Sequence, residues 1–277
     1  MIDTVFACST TKPKVVSQAL LAILWKEQED QYFSAIVDNN GIVIITEDCS
    51  SIEASVLLSS RMFNTFNFYK NEPFIFRANL SQLIKCVSLF SETASNMEIK
   101  ATSETEIIID IFDTFSTTTC KVRTHFSQKI EQNLSDSFKS ANSPDVASFI
   151  VPSARIKELF VIPEASHRNS IPLTISINNN HVFEIKAEGS YGKVQSSVDL
   201  DQFKVMNAKY NMYEPFSASY HINSLLPAIK AMSTSLDTDF TFKGNGLLMI
   251  KQAFSKPNGG FVETAVEFII APVKEQD

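Results

Sequence analysis

One phrase is written twice in this chain. Residues 74–90, FIFRANLSQLIKCVSLF, run from an extended apolar stretch into a short amphipathic helix with one lysine, and residues 216–233, FSASYHINSLLPAIKAMS, do the same. Two more landmarks repeat. Pro13, at the start of a helical pattern over KPKVVSQALLAILWKE, is matched by Pro152 before SARIKELFVI. The β-rich runs around Asp38-Asn39-Asn40-Gly41 are matched by those around Asn178-Asn179-Asn180. The offsets are about 139, 139 and 142 residues, close to half the chain, and a near-constant offset across independent features marks two copies of one domain. Each copy reads as many strands with two short helices, an α+β class.

The first copy is the more legible. Strands are expected over TVFACST, on both sides of Asn40-Gly41, and at 51–60, 73–78, 97–103, 106–112 and 117–125, with helices at 12–26 and 80–91. Asn-Gly between β-rich runs is the strongest short hairpin signal. Residues 127–147, SQKIEQNLSDSFKSANSPDVA, then show little periodicity and read as a polar connector. This places domains at 1–126 and 148–277, with the connector at 127–147 between them.

Net charge is −7, which argues against binding phosphates, yet the charge is unevenly placed. The four helix segments at 12–26, 80–91, 153–163 and 223–235 carry Lys12, Lys14, Lys26, Lys85, Arg155, Lys157 and Lys230 against one acid, Glu158. One basic surface is thereby separated from an acidic remainder. Lys85 and Lys230 each sit on the second helix of their copy, one turn apart on the same face.

Catalysis finds no such support. Cys8, Cys49, Cys86 and Cys120 are far apart in sequence and read as reduced thiols, and no histidine stands at metal-ligand spacing. GSYGKV at 189–194 is too short for a phosphate loop and reads as a turn between strands. Glu104, Glu106 and Asp110 fall on one strand face by alternation, near Asp113, and read as a solvated β-surface. No cofactor, metal or catalytic residue is expected. No apolar run reaches the length of a membrane span, and the N-terminus lacks the pattern of a secretory leader, so the chain reads as intracellular.

Two similar domains with a polar connector and basic helices are similar to the eukaryotic sliding clamps of the PCNA type. The ending FIIAPVKE, residues 268–275, resembles the clamp C-terminus. Residues 40–68 and 74–90 resemble the Rad-one subunit family of the nine-one-one checkpoint clamp, through the Asn40-Gly41 turn, Glu47, Ala54, Phe63, Phe66, Leu80, Leu83, Cys86 and Phe90. The resemblance implies two tandem PCNA-like domains, with antiparallel sheets outside and two short helices each on the inner face. It implies a nuclear, non-catalytic subunit of a three-membered ring around duplex DNA, bound without sequence specificity. Partners would be two other clamp subunits, a clamp loader, and checkpoint and repair proteins.

Carried over by position, the DNA-facing residues would be Lys12, Lys14, Lys85, Arg155, Lys157 and Lys230. The subunit edges would be Thr117, Thr119, Lys121 and Arg123 on one strand and Tyr191, Lys193, Gln195 and Ser197 on another. A pocket for partner peptides would involve Ile130, Leu134, Pro272 and Val273. Two alternatives stay open: a homotrimeric replication processivity clamp, and a 3'-5' exonuclease, for which the sequence offers no carboxylate cluster.

Overall fold

A computed structural model describes residues 4–25, 31–48, 51–89, 93–103, 105–126, 133–140, 143–160, 172–189, 192–203, 205–255 and 262–273. The chain forms two compact units. One comprises Met1–Thr46, Ala54–Glu131 and Phe254–Val266, and the other Glu47–Glu53, Gln132–Ala253 and Glu267–Asp277. The units thus draw short segments from outside the stretches 1–126 and 148–277. Phe254–Val266 belongs to the first unit, where the Glu263 carbonyl accepts from Ser59 N at 3.0 Å and Thr264 Oγ1 donates to Met62 Sδ at 3.0 Å.

The first nine strands are β1 Phe6–Thr10, β2 Tyr32–Asp38, β3 Gly41–Asp48, β4 Ile52–Ser59, β5 Thr65–Phe68, β6 Phe74–Asn79, β7 Asn96–Ser103, β8 Glu106–Phe112 and β9 Thr117–Phe126. The next nine are β10 Asp145–Pro152, β11 Pro172–Ile177, β12 Val182–Gly189, β13 Gly192–Asp199, β14 Met206–Tyr210, β15 Phe216–His221, β16 Asp237–Lys243, β17 Leu248–Ser255 and β18 Thr264–Ile270. Among the described residues the α-helices are α1 Pro13–Ala22, α2 Leu80–Ser88, α3 Asn133–Lys139, α4 Ser153–Lys157 and α5 Ile222–Ala231. In the first unit the strands lie in the order β5-β1-β7-β8-β9-β6-β2-β3-β4. The second holds β14-β10-β16-β17-β18 and, as a separate sheet, β15-β11-β12-β13. Adding nine to each label of the first order gives the second, broken only between β18 and β15. The internal repeat read from the sequence is therefore a repeat of topology, and the pairings are antiparallel throughout those resolved by register.

Alternation fills the cores. Phe33, Ala35 and Val37 of β2 and Phe74, Phe76 and Ala78 of β6 are buried on one face, as period-two strands with one wet face require. In the second unit Phe149 is ringed by Phe183, Phe240 and Phe242, with centroids 5.3–6.1 Å apart. Such aromatic packing adds to plain area burial. The helices cover the sheets through Val16 and Leu20 on α1, Leu83 and Val87 on α2, and Leu225 and Ile229 on α5, all buried.

The first hairpin lies around Asp38 to Gly41, with Asp38 opposite Gly41 and Asn39-Asn40 in the turn. Asp38 Oδ1 accepts from Asn40 N at 2.7 Å, an Asx turn that a side chain can impose by itself. Gly41 is needed for another reason: at φ 140° an added Cβ would lie 2.2 Å from the Leu58 carbonyl oxygen on β4.

The polar connector contains α3, which its sequence did not announce. Its seven residues have little helical propensity, and tertiary contacts supply what the local sequence does not. Leu134 and Phe138, four apart on one face, bury against Leu247 and Ile269. Glu53 is 3% exposed; its carboxylate accepts from the backbone N–H of Leu134 at 3.1 Å and of Ser135 at 3.2 Å, and from the Ser135 hydroxyl. Lys243 Nζ sits 4.8 Å above the Phe138 ring and pairs with Asp145 at 2.7 Å.

Candidate nucleic-acid interface and open sheet edges

On α1 the residues turned away from the sheet are Lys14, Gln18 and Leu21, spaced four and three apart. On α2 they are Gln82, Lys85 and Leu89 at its C-cap, and on α5 Asn223, Leu226 and Lys230, continued by Ser233. None of these helices contains an acid, so each outward stripe carries one cation and otherwise uncharged groups. Lys85 and Lys230 fall in the last turns of their helices, where the peptide dipoles favour a positive charge. Asn79 caps α2, its side chain accepting from Gln82 N at 2.9 Å, and Ser17 and Ser88 join α1 to α2 by a 3.1 Å hydrogen bond.

Lys12 stands apart from this set. It is the N-cap of α1, and its ammonium lies 2.6 Å from Glu263, whose carboxylate also accepts from Ser255 Oγ at 3.0 Å. Burial opposes ionisation of Glu263, but the bonds from Lys12 and Ser255 outweigh it and hold the carboxyl below its usual range. The Lys12 charge is thus neutralised at home. In the second unit Arg155 and Lys157 are exposed on α4; the Arg155 guanidinium lies 5.9 Å over the Phe203 ring, and Lys157 Nζ donates to Ser233 Oγ at 2.7 Å.

Among the described residues, β9 and β13 are open along one side, as are the sheet-terminal strands β5, β14 and β15. From Thr117 to Arg123, β9 pairs only with β8, its bonding to β6 being confined to Thr124, His125 and Phe126. β13 is a terminal strand, paired only with β12. Thr117, Thr119, Lys121 and Arg123 share the exposed face of β9, and Lys193, Gln195 and Ser197 that of β13; Tyr191 lies outside the described residues. Several of these side chains bond within their own sheet. Lys121 pairs with Glu106 at 3.3 Å, Gln195 donates to Glu184, and Thr119 donates to Asp110 at 2.7 Å. What the edges offer a neighbour is therefore mainly backbone N–H and C=O groups.

The carboxylates read as a solvated surface are occupied individually. Asp110 accepts from Lys100 and from Thr119, each at 2.7 Å, and these bonds outweigh the effect of burial and lower its pKa. Asp113 accepts from Thr114 N at 2.7 Å, and Glu104 lies outside the described residues. Among the described residues no three His, Cys, Asp or Glu side chains converge as metal ligands.

The expected peptide pocket is divided. Leu134 is only 9% exposed and is turned by α3 into the cluster with Phe138, Leu247 and Ile269. Ile130 lies outside the described residues. Pro272 and Val273, by contrast, line a cleft of about 950 Å³ together with Pro144, Met212, Tyr213 and Phe216. Val273 N donates to the Ser219 carbonyl on β15 at 2.7 Å, fixing this wall.

A family model described as Repair protein Rad1/Rec1/Rad17 matches residues 5–253, running through both units. The chain belongs to the Rad1 family. It is 21% identical over 266 residues to the cell cycle checkpoint protein RAD1 of Homo sapiens, covering 94% of this chain and 89% of that protein. The mouse RAD1 checkpoint protein matches with the same identity and coverage. Among solved structures, the proliferating cellular nuclear antigen of Entamoeba histolytica superposes with a TM-score of 0.75 at 13% identity, covering 98% of this chain and all of that one. The fold of this Rad1-family chain is therefore PCNA-like, an α+β arrangement of mostly antiparallel sheets with a few short helices.

Proposed function

We propose that the chain is a non-catalytic subunit of a heterotrimeric PCNA-like checkpoint clamp that encircles duplex DNA in the nucleus. Its two clamp domains are 1–126 and 148–277, joined by 127–147. The observation that carries this reading is that each unit has strand backbone open on one side, β9 from Thr117 to Arg123 in the first and the terminal strand β13 in the second. Such edges bind neighbours by strand addition, and two different edges on one chain make head-to-tail contacts that close into a ring. Lys14, Lys85, Arg155, Lys157 and Lys230 face the DNA, while Lys12 is tied to Glu263 and contributes little. One cation per stripe, with no group placed to read base edges, gives a weak and sequence-independent hold that permits sliding. The cleft at Pro272 and Val273 receives apolar segments of checkpoint and repair proteins, and a clamp loader opens the ring.

The test is DNA binding by the assembled three-subunit ring carrying Lys85→Glu and Lys230→Glu. Binding to duplex DNA weakens, and the slope of log K against log salt falls by about 0.9 for each phosphate that is no longer neutralised. Thermal stability of the chain stays nearly unchanged, since both side chains are exposed and the helix dipoles add only about 0.3–1 kcal/mol for each charge. Unaltered binding at low salt would remove these helices from the DNA interface.

A further inference from the structure

β9 and β13 differ in the charge they present. On β9 the exposed row Thr117, Thr119, Lys121 and Arg123 is continued by His125, which stands opposite Arg77 on β6. Arg77 is exposed too, its guanidinium 5.5 Å over the Tyr32 ring. The carboxylates on the neighbouring strand are already engaged. Glu106, opposite Arg123, bonds to Lys121 at 3.3 Å, and Asp110, opposite Thr119, bonds to Lys100 at 2.7 Å. The first of these pairs leaves Lys121 61% exposed, and a pair so open to water holds its lysine only weakly. In a chain of net charge −7, the open edge of the first unit therefore presents cations.

β13 has no matching row of acids. Its outward positions are Lys193, Gln195, Ser197 and Asp199, and Lys193 lies 3.9 Å from Glu188 on β12. An antiparallel ladder of full length between two copies, Thr117 to Arg123 of one against Lys193 to Asp199 of the other, sets Arg123 opposite Lys193. A slip of two residues one way sets Lys121 opposite Lys193, and a slip of two the other way leaves Lys121 and Arg123 opposite Ser197 and Gln195. Only a slip of four brings Lys121 to Asp199, and the ladder is then three residues long. Opposite charges across a ladder stabilise it and like charges destabilise it, so a second copy of this chain fits β9 poorly.

Resting on the clamp reading above, we propose that the neighbour on β9 is a different clamp subunit whose edge strand carries carboxylates at alternate positions, opposite Lys121 and Arg123. Backbone groups form the ladder, and the charges decide which neighbour forms it and in which register. The carboxylates pair with cations that strand addition would otherwise draw out of water without partners. Each such pair, still partly wetted, is worth up to about fivefold in affinity. The neighbour on β13 needs no acidic row, so the two neighbours are not interchangeable.

The experiment measures binding of the full-length chain to each of two other PCNA-like clamp subunits of the same organism, pair by pair, by sedimentation over a salt series. Lys121→Glu together with Arg123→Glu is expected to weaken one pairing at least about tenfold at low salt and to leave the other within about twofold. In the unsubstituted chain the affected pairing is the more salt-sensitive of the two. Lys121→Gln together with Arg123→Gln gives a smaller loss in the same pairing, and lysines in place of the facing carboxylates on that partner restore binding to the reversed variant. Two pairings that both ignore the reversal would overturn the proposal and leave the ring reading standing; an unsubstituted chain that binds neither subunit would overturn both. Weaker DNA binding by the assembled ring, with both pairings intact, would assign these cations to nucleic acid and overturn the proposal as well.

Discussion

Replacing Glu53 by alanine tests whether a buried carboxylate on β4 holds α3 in place. The substitution strips the acceptor from the backbone N–H groups of Leu134 and Ser135 and from the Ser135 hydroxyl, all in buried surroundings. A buried donor left without a partner costs about 1–3 kcal/mol, and removing a buried charge returns part of that sum, so the net loss is about 3 kcal/mol. Glu53→Gln keeps one acceptor oxygen and is expected to lose about 1 kcal/mol. Because the chain has two units, the whole-chain unfolding free energy is a poor reading of this loss. Amide hydrogen exchange at Leu134 and Ser135 reads the local opening directly. An opening free energy in Glu53→Ala within about 0.5 kcal/mol of the unsubstituted chain would refute the anchoring role.

Gly41→Ala places a methyl group 2.2 Å from the Leu58 carbonyl oxygen at a positive φ, and should cost about 2–4 kcal/mol in urea unfolding of the first unit. A loss under about 1 kcal/mol would mean that β4 yields at this point. Asp110 and Glu263 both have folded-state pKa values below their ordinary 3.8 and 4.5, so their contribution is fully present above those values and disappears as pH falls through the lower folded ones. Asp110→Asn and Glu263→Gln should therefore flatten the decline of thermal stability below about pH 4.5, and an unchanged acid limb in both would contradict the assigned pairings.

What the sequence made legible was whatever repeats or alternates. The offset between Pro13 and Pro152, and between Leu80 and Ile222, foretold that β1 to β9 and β10 to β18 share one order, because hydrophobic period and strand order are copied together. The acid-free stripes of α1, α2 and α5 were readable from 3.6-residue spacing. Features resting on contacts between distant residues were hidden. The connector's Ser, Asn and Asp residues masked a helix whose stability comes from Glu53, some 80 positions earlier, and the only local sign was Leu134 and Phe138 four residues apart. Lys12 counted as one more helix cation until Glu263, 251 positions later, was found beside it.

The mass of the purified chain in solution, by light scattering over a concentration series, tests the central claim most directly. If β9 and β13 are shaped for other clamp subunits, the chain alone stays at 30.9 kDa and moves to a three-chain species only when two different PCNA-like partners are added. A stable particle of three times that mass from this chain alone would mean that its two edges complement each other, and would contradict the heterotrimeric account.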